Sequence, residues 1–349
     1  RCLTFSAVAL TSGVVSFPAL SDTVLQVTTW GGPNHELNTH IWPTWGKWVE
    51  EATDGRVTIN VTHDLGPTNS QMALVADGIA DVGYFFHGYN PGRFELTKFS
   101  ELPTFEEYSS EVASAAYWHT YNKYFQDVNE HRGVKTLGLT VHGPVALLMK
   151  EPIDGLENLS GKRIRVGGGV MADVAEALDI TGVALPPTGV YEAASQGVID
   201  GSMFPIGSLS SFRLAEVLPY TYEVPGGFYR GSFAFVINPN TWESLSEEDR
   251  EAIMSVSGEQ LSRLHGYVMD EVSDARAYEF GAENDNTFTD LGGDDLAFLK
   301  ERTAGLTAEW TQMVEDSYGI NGQEAYNFYQ AQLEKEAEDD SIGPRVIQE

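Results

Sequence analysis

Cysteine is almost missing: Cys2 is the single one in 349 residues, so no disulfide can close within the chain and metal sites built from several thiolates are excluded. Basic residues are scarce too. The 21 Lys and Arg face 51 Asp and Glu, a formal charge of -30, and such a field repels phosphate backbones and anionic lipid surfaces. Nucleic acid is therefore not an expected partner. A small anion remains admissible, because salt screens exposed charges beyond about 10 Å and a local arginine with backbone N–H groups can outweigh a distant field. Beyond residues 3–20, no apolar run approaches the roughly 18 residues of a membrane span.

Catalytic patterns are lacking as well. The 8 histidines form no His-Glu-x-x-His pair or other close ligand spacing, so no metal is expected. No Gly-x-Ser-x-Gly elbow supports a nucleophile. Residues 155–162 have glycines and a lysine, but Arg163 stands where a phosphate-binding loop needs Ser or Thr, and a strand follows where a helix should. The Gly167-Gly168-Gly169 turn lacks the rest of a dinucleotide fingerprint, so no cofactor is expected. The chain reads as a binding protein. A hydrolase with dispersed catalytic residues is the rival from another class.

What is present begins with an apolar, small-residue run after Arg1, ending at Ala19-Leu20-Ser21. It reads as the remnant of a secretory signal over residues 1–22. The rest, at 42% hydrophobic content, is long enough for two lobes. Strands are expected at 24–29, 56–61 and 79–86, separated by a helix carrying Leu37, Ile41, Trp45, Trp48 and Val49 at 3–4 spacing and by a short helix at 70–77. That alternation implies a mainly parallel sheet. A helix at 111–126 and a strand at 135–140 lead to a crossing near 142–150 and a second α/β set, with a strand at 161–166 and a helix at 171–178. Residues 233–238 read as a strand returning to the first lobe. Ser246-Glu247-Glu248-Asp249 resembles a capping box and should open a long helix through Ile253, Leu261, Val268 and Tyr278, roughly 39 Å at 1.5 Å per residue. Residues 294–338 look helical, with 334–340 a solvated charge run.

Polar and aromatic residues fall on the strand-to-helix loops, where open parallel sheets hold small ligands: Trp30, His35, His87, Tyr89, Arg93, Arg165 and Tyr191. Alternation puts Arg163 and Arg165 on one face of their strand, Ile164 and Val166 on the other. The arginine nearer the turn that opens at Gly167 can enter a cleft, where its planar fork matches a carboxylate in two parallel hydrogen bonds.

Three blocks, Leu159-Ser160-Gly161-Lys162-Arg163-Ile164-Arg165-Val166, Tyr191 with Gln196-Gly197-Val198-Ile199-Asp200-Gly201, and Asn238 with Trp242-Glu243-Ser244-Leu245, resemble in order and spacing the extracytoplasmic solute-binding proteins of tripartite ATP-independent periplasmic (TRAP) transporters, of the dicarboxylate-binding-protein type. The resemblance covers nearly all of the chain beyond the signal. It implies an α/β, two-lobed periplasmic binding protein fold with a long helix bracing both lobes: 23–142 with 231–268 as one lobe, 143–230 with 269–310 as the other, and 311–349 as C-terminal helices. It also implies a periplasmic protein that holds a small organic carboxylate on Arg165 and passes it to membrane permease subunits. Phe204 stands before Pro205 where the family often has Asn, and no second arginine lies in 142–148. Those departures favour an aromatic or hydroxy monocarboxylate stacked on Phe204, Trp30 or Tyr89, with His87 or His142 binding a hydroxyl. Arg93 and Gly167 complete the expected ligand set. The alternative ligand is an aliphatic keto or hydroxy acid or a dicarboxylate, and an ATP-driven importer's binding protein would share the architecture.

Overall fold

Residues 23–339 and 341 are described by the computed structural model; the expected signal remnant at 1–22 lies outside them. The chain lays down β1 (Thr23–Thr29), β2 (Val57–His63), β3 (Val82–Phe86), β4 (Lys135–Val141), β5 (Val145–Met149), β6 (Arg163–Val166), β7 (Thr181–Ala184), β8 (Gly201–Pro205), β9 (Tyr220–Glu223), β10 (Ser232–Ile237) and β11 (Thr287–Asp290). They form a five-stranded sheet, ordered β2-β1-β3-β10-β4, and a six-stranded sheet, ordered β11-β9-β5-β8-β6-β7. Each sheet is the centre of one lobe. β3, β5 and β10 are buried at every residue, which is why they read as unbroken apolar runs rather than alternating ones.

β1, β2 and β3 are parallel, as their intervening helices require. β10 is antiparallel to both β3 and β4. The sheet is thus mixed rather than mainly parallel, because β10 enters it from the other lobe and not through a local crossover helix.

The chain passes between the sheets at 142–144, at 224–231, and along a helix over 259–283. The first passage is shorter than the expected 142–150, since β5 already begins at Val145. The long helix also differs from expectation. Ser246 does cap a helix, its hydroxyl accepting the Asp249 N–H, but that helix ends at Ser255. Gly258, at φ +60, turns the chain and a new helix starts at Glu259. The first turns of this second helix pack on β4 and on the helix Ser110–Tyr124, and its last turns pack on Ser208–Ser211. Between them Val268–Asp274 is π-helical, at the junction of the lobes.

The C-terminal helices Gly293–Thr303, Leu306–Tyr318 and Gly322–Glu336 fall in the stretch expected to be helical. Trp310 and Tyr329 reach Phe99 with ring centroids at 5.9 and 4.9 Å, joining these helices to the main core. The charge run is not all solvated. Glu336 is 1% exposed and paired with Arg263, which also meets Glu111, Glu259 and Asp339. Among the described residues no helix is long and apolar enough to cross a membrane.

Candidate functional site

Between the two sheets lies a cavity holding about 750 Å³ of atom-free space, its mouth included, within the range of small-ligand sites. Trp30, His35, Glu36, Tyr84 and Tyr89 line it from the first lobe; Arg165, Gly167, Phe204 and Phe212 line it from the second. The three passages between the lobes add His142, Tyr229 and Asp274.

β6 places its two arginines in opposite surroundings. Arg163 is exposed and pairs with Asp200, Nη2 to Oδ1 at 2.6 Å. Arg165 is 2% exposed. Its Nε donates to the Leu185 carbonyl at 3.0 Å and its Nη1 to the Met203 carbonyl at 3.4 Å, with the Tyr89 hydroxyl beside the guanidinium. Among the described residues no carboxylate comes within the 4.0 Å of an ion pair. Burial pushes its pKa down, and Tyr89 and Tyr229 offset part of that, yet a guanidinium stays charged. A buried cation among neutral groups is costly until an anion joins it. Gly167 keeps that spot open: a Cβ there would sit 3.2 Å from Arg165 Nη2.

Aromatic rings carry the wall from Arg165 to the first lobe. Phe204 lies under the guanidinium, 4.2 Å from ring centroid to Cζ, and Phe212 follows at 5.6 Å. Phe212 meets Trp30 of the other lobe at 6.5 Å, the rings parallel within 3°, and meets His35 edge-on at 5.8 Å. Ring thus meets ring across the two lobes. Backbone does the same nearby: Gly168, at φ +109, would clash with the Gly88 carbonyl at 2.5 Å if it carried a Cβ.

Four expected contacts fare differently. His87 is buried behind the cavity, its Nδ1 on Ser232 Oγ at 3.0 Å and its Nε2 on His131 at 2.9 Å, so neither nitrogen is left for a ligand. Arg93 points away and donates to the carbonyls of Glu130 and Arg132. Tyr191 lies on the surface, its hydroxyl on Glu216 at 2.9 Å. His142 does line the cavity, but its Nδ1 meets the Gly143 carbonyl at 2.8 Å and its Nε2 accepts the Gly231 N–H at 3.2 Å. Burial pushes this imidazole down to about 4. It ties two passages together instead of offering a hydroxyl contact.

Glu36, Phe212, Tyr229 and Asp274 line the cavity without having stood out in the sequence. Glu36 directly follows the loop 30–35, where the strand-end rule stops and the helix period begins. Phe212 and Tyr229 sit in irregular segments with no period to mark them, and Asp274 is a polar position of the long helix that the apolar period passes over. Asp274 accepts the Gly207 N–H at 3.0 Å, and burial beside Asp270 holds its carboxyl well above the usual range. Away from the cavity, His119, Glu259 and Glu336 gather within 4.8 Å, a spacing that could suit a metal ion. Arg263 and Lys335 already neutralise those carboxylates.

A family profile described as bacterial extracellular solute-binding protein, family 7, matches residues 28–313. The chain belongs to that family. As a family 7 solute-binding protein it is of extracytoplasmic type, and such proteins bind small organic carboxylates and work with membrane permease components. A TRAP periplasmic solute-binding protein from Bordetella bronchiseptica, solved with bound (R)- and (S)-mandelate, shares 34% identity and a TM-score of 0.86, covering 90% of this chain and 99% of that one. A marine metagenome TRAP solute-binding protein specific for aromatic acids, in complex with 3-hydroxybenzoate, shares 26% identity and a TM-score of 0.82 over 90% of this chain and 99% of that one. The outer membrane transporter protein TsaT of Comamonas testosteroni is 31% identical over 86% of this chain and 88% of its own length. The two-lobed α/β fold and the TRAP solute-binding assignment both stand on these likenesses.

Proposed function

We propose that this protein captures an aromatic or hydroxy monocarboxylate between its lobes, in the periplasm, and delivers it to a membrane permease without chemical change. The observation that carries the reading is Arg165, a buried guanidinium with no carboxylate partner among the described residues, held over the Phe204 ring. A ligand carboxylate would take the open edge of that fork. One carboxylate is accommodated rather than two, because the other buried arginine by the junction, Arg230, is spent on Ser110 and the Tyr108 carbonyl. The relatives holding mandelate and 3-hydroxybenzoate support a ring-bearing acid.

Tyr89, Gly167, Phe204, Phe212 and Trp30 complete the ligand set in this reading. The mobile units are 23–142 with 231–268, and 143–230 with 269–310, closing about the three passages. Closure gains its free energy from contacts made to both lobes at once. Calorimetric titration of the purified protein with benzoate, mandelate, hydroxybenzoates, lactate and succinate tests the proposal. Tight binding confined to the ring-bearing acids is expected, and failure of every aromatic acid to bind would sink it. Mass analysis of the recovered ligand should show it unaltered.

A further inference from the structure

Arg165 is not the only unpaired charge in the cavity. Glu36 is 2% exposed, lines the same space, and its Oε1 is buried without a hydrogen-bond partner. Among the described residues no Lys or Arg stands within 4.0 Å of it; the nearest basic group is His35, whose Nδ1 is 3.6 Å from Oε2. That nitrogen already accepts the Leu37 N–H at 3.2 Å, which assigns it as the unprotonated one, and burial pushes the imidazole pKa down. His35 therefore does not neutralise Glu36.

A second polar atom beside it is also unmatched. Trp30 Nε1 is buried and has no acceptor, and the Trp30 ring touches His35 edge-on at 5.1 Å. Both residues line the cavity, and each carries one buried polar atom without a partner. Leaving such groups unpaired costs about 1–3 kcal/mol each, more for a charge, so a ligand that satisfies both gains what the empty site forgoes. From Arg165 the wall runs through Phe204 and Phe212, tilted 30° to each other, to Trp30 and to His35, the residue before Glu36.

We propose that Glu36 and Trp30 form the far end of the ligand site and read a hydroxyl on the aromatic acid whose carboxylate Arg165 holds. The inference rests on the reading of the cleft as an aromatic-acid site. A hydroxyl suits the pair because it donates to Glu36 and accepts from the indole N–H in one group; an ammonium would satisfy Glu36 and leave the indole unmatched. His87 and His142 are engaged elsewhere, and Asp274 is taken up by the Gly207 N–H. Glu36 also stands at the N-terminal end of the helix that begins at Leu37, where a carboxylate favours the helix dipole; a purely structural role is the competing explanation.

Calorimetry on the full chain separates the two, using benzoate and phenylacetate against their 3- and 4-hydroxy derivatives. Wild type should bind at least one hydroxylated acid roughly tenfold to a hundredfold more tightly than its parent, the span of a hydrogen bond to a charged group. Glu36→Ala should bring that ratio to about one, because the hydroxylated acid loses a hydrogen bond that its parent never makes. Glu36→Gln, near in shape and still an acceptor, should give an intermediate ratio, and it carries the test if the alanine variant does not fold. A wild-type ratio of one for every pair overturns the proposal. So does an equal loss for parent and hydroxylated acid in the glutamine variant, which would mark Glu36 as structural. If no aromatic acid binds wild type at all, the reading of the cleft falls and this subsite with it, an outcome distinct from binding without hydroxyl preference.

Discussion

The guanidinium carbon of Arg165 stands 4.2 Å from the centroid of the Phe204 ring. The ring covers one side of the cation, the Leu185 and Met203 carbonyls take Nε and Nη1, and among the described residues no carboxylate pairs with it. Replacing Arg165 by Ala should therefore weaken carboxylate binding by about 3–5 kcal/mol, a factor of roughly a hundred to several thousand, as loss of a buried charge partner does. Arg165→Lys should recover only part, since an ammonium cannot make the two parallel bonds. Calorimetric titration with the best ring-bearing acid, beside a melting curve to confirm folding, checks both. Undiminished affinity in the alanine variant would place the anchor elsewhere.

Phe204 contributes shape and a cation–π contact rather than charge. Phe204→Ala should cost aromatic acids about 1–3 kcal/mol, from the lost ring wall and the loosened guanidinium. It should cost lactate much less. The ratio of benzoate to lactate affinity, measured in wild type and variant, is the readout, and a ratio that does not move would assign Phe204 to packing alone.

How much of this was legible in the chain follows from what each signal depends on. β1, β2 and the loop after β1 were readable because alternation and a Gly-Pro cluster are local properties. Arg165 was readable because alternation leaves only Arg163 beside it on that face of the strand, the glycine turn marks the nearer of the two, and the family resemblance points to the same residue. The antiparallel insertion of β10 was not, since a returning strand carries no mark of its direction. Neither was the break at Gly258: the apolar period continues across it, and only the positive φ interrupts the helix. His87 and His142 read as ligand contacts in the sequence because a histidine in a loop looks free until its partners, Ser232, His131 and the hinge backbone, are brought to it by the fold.

Glu101 offers a pH-dependent measurement. Its Oε1 accepts the Ser232 hydroxyl at 2.5 Å and its Oε2 accepts the Val170 N–H at 2.8 Å, one from each lobe. Burial nonetheless dominates and pushes the carboxyl up to about 7. A carboxyl whose folded pKa exceeds the unfolded value binds more protons when folded, so its contribution is full below about pH 4.5 and is lost as pH rises through 7. Glu101→Gln removes that loss. The stability of the glutamine variant relative to wild type, from urea unfolding, should increase from pH 4.5 to 7; a constant difference would refute the assignment. Taking the difference cancels the opposite slope of the buried neutral histidines 131, 142 and 265, whose pKa values burial lowers.

Arg263 holds the C-terminal helix to the body of the protein. It faces Glu336, Glu259, Asp339 and Glu111, and Glu336 is buried. Arg263→Ala leaves buried carboxylates without their guanidinium, and a loss of about 3–5 kcal/mol is expected. The double variant Arg263→Met with Glu336→Gln should recover part of it, because the most deeply buried of these charges is gone while that of Glu111 remains. Urea unfolding of the single and double variants distinguishes this from simple loss of packing, which the double variant would not repair.

The last prediction turns the unpaired carboxylate of Glu36 into a selectivity filter. Arg165 makes one end of the cavity cationic and Glu36 makes another part anionic, with Phe204 and Phe212 between. A second carboxylate on the ligand, set across the ring from the first, would meet Glu36 at close range in a poorly screened interior, where like charges oppose each other by several kcal/mol. Terephthalate should therefore bind wild type at least about a hundredfold more weakly than 4-hydroxybenzoate. Glu36→Gln removes the repulsion and supplies an amide donor, so terephthalate should gain affinity in that variant while 4-hydroxybenzoate loses it. Opposite movements of the two ligands in one variant cannot come from general damage to the site, which would weaken both. Calorimetric titration of both acids into wild type and Glu36→Gln reads the crossover, and parallel changes would show that Glu36 does not face the ligand's far end.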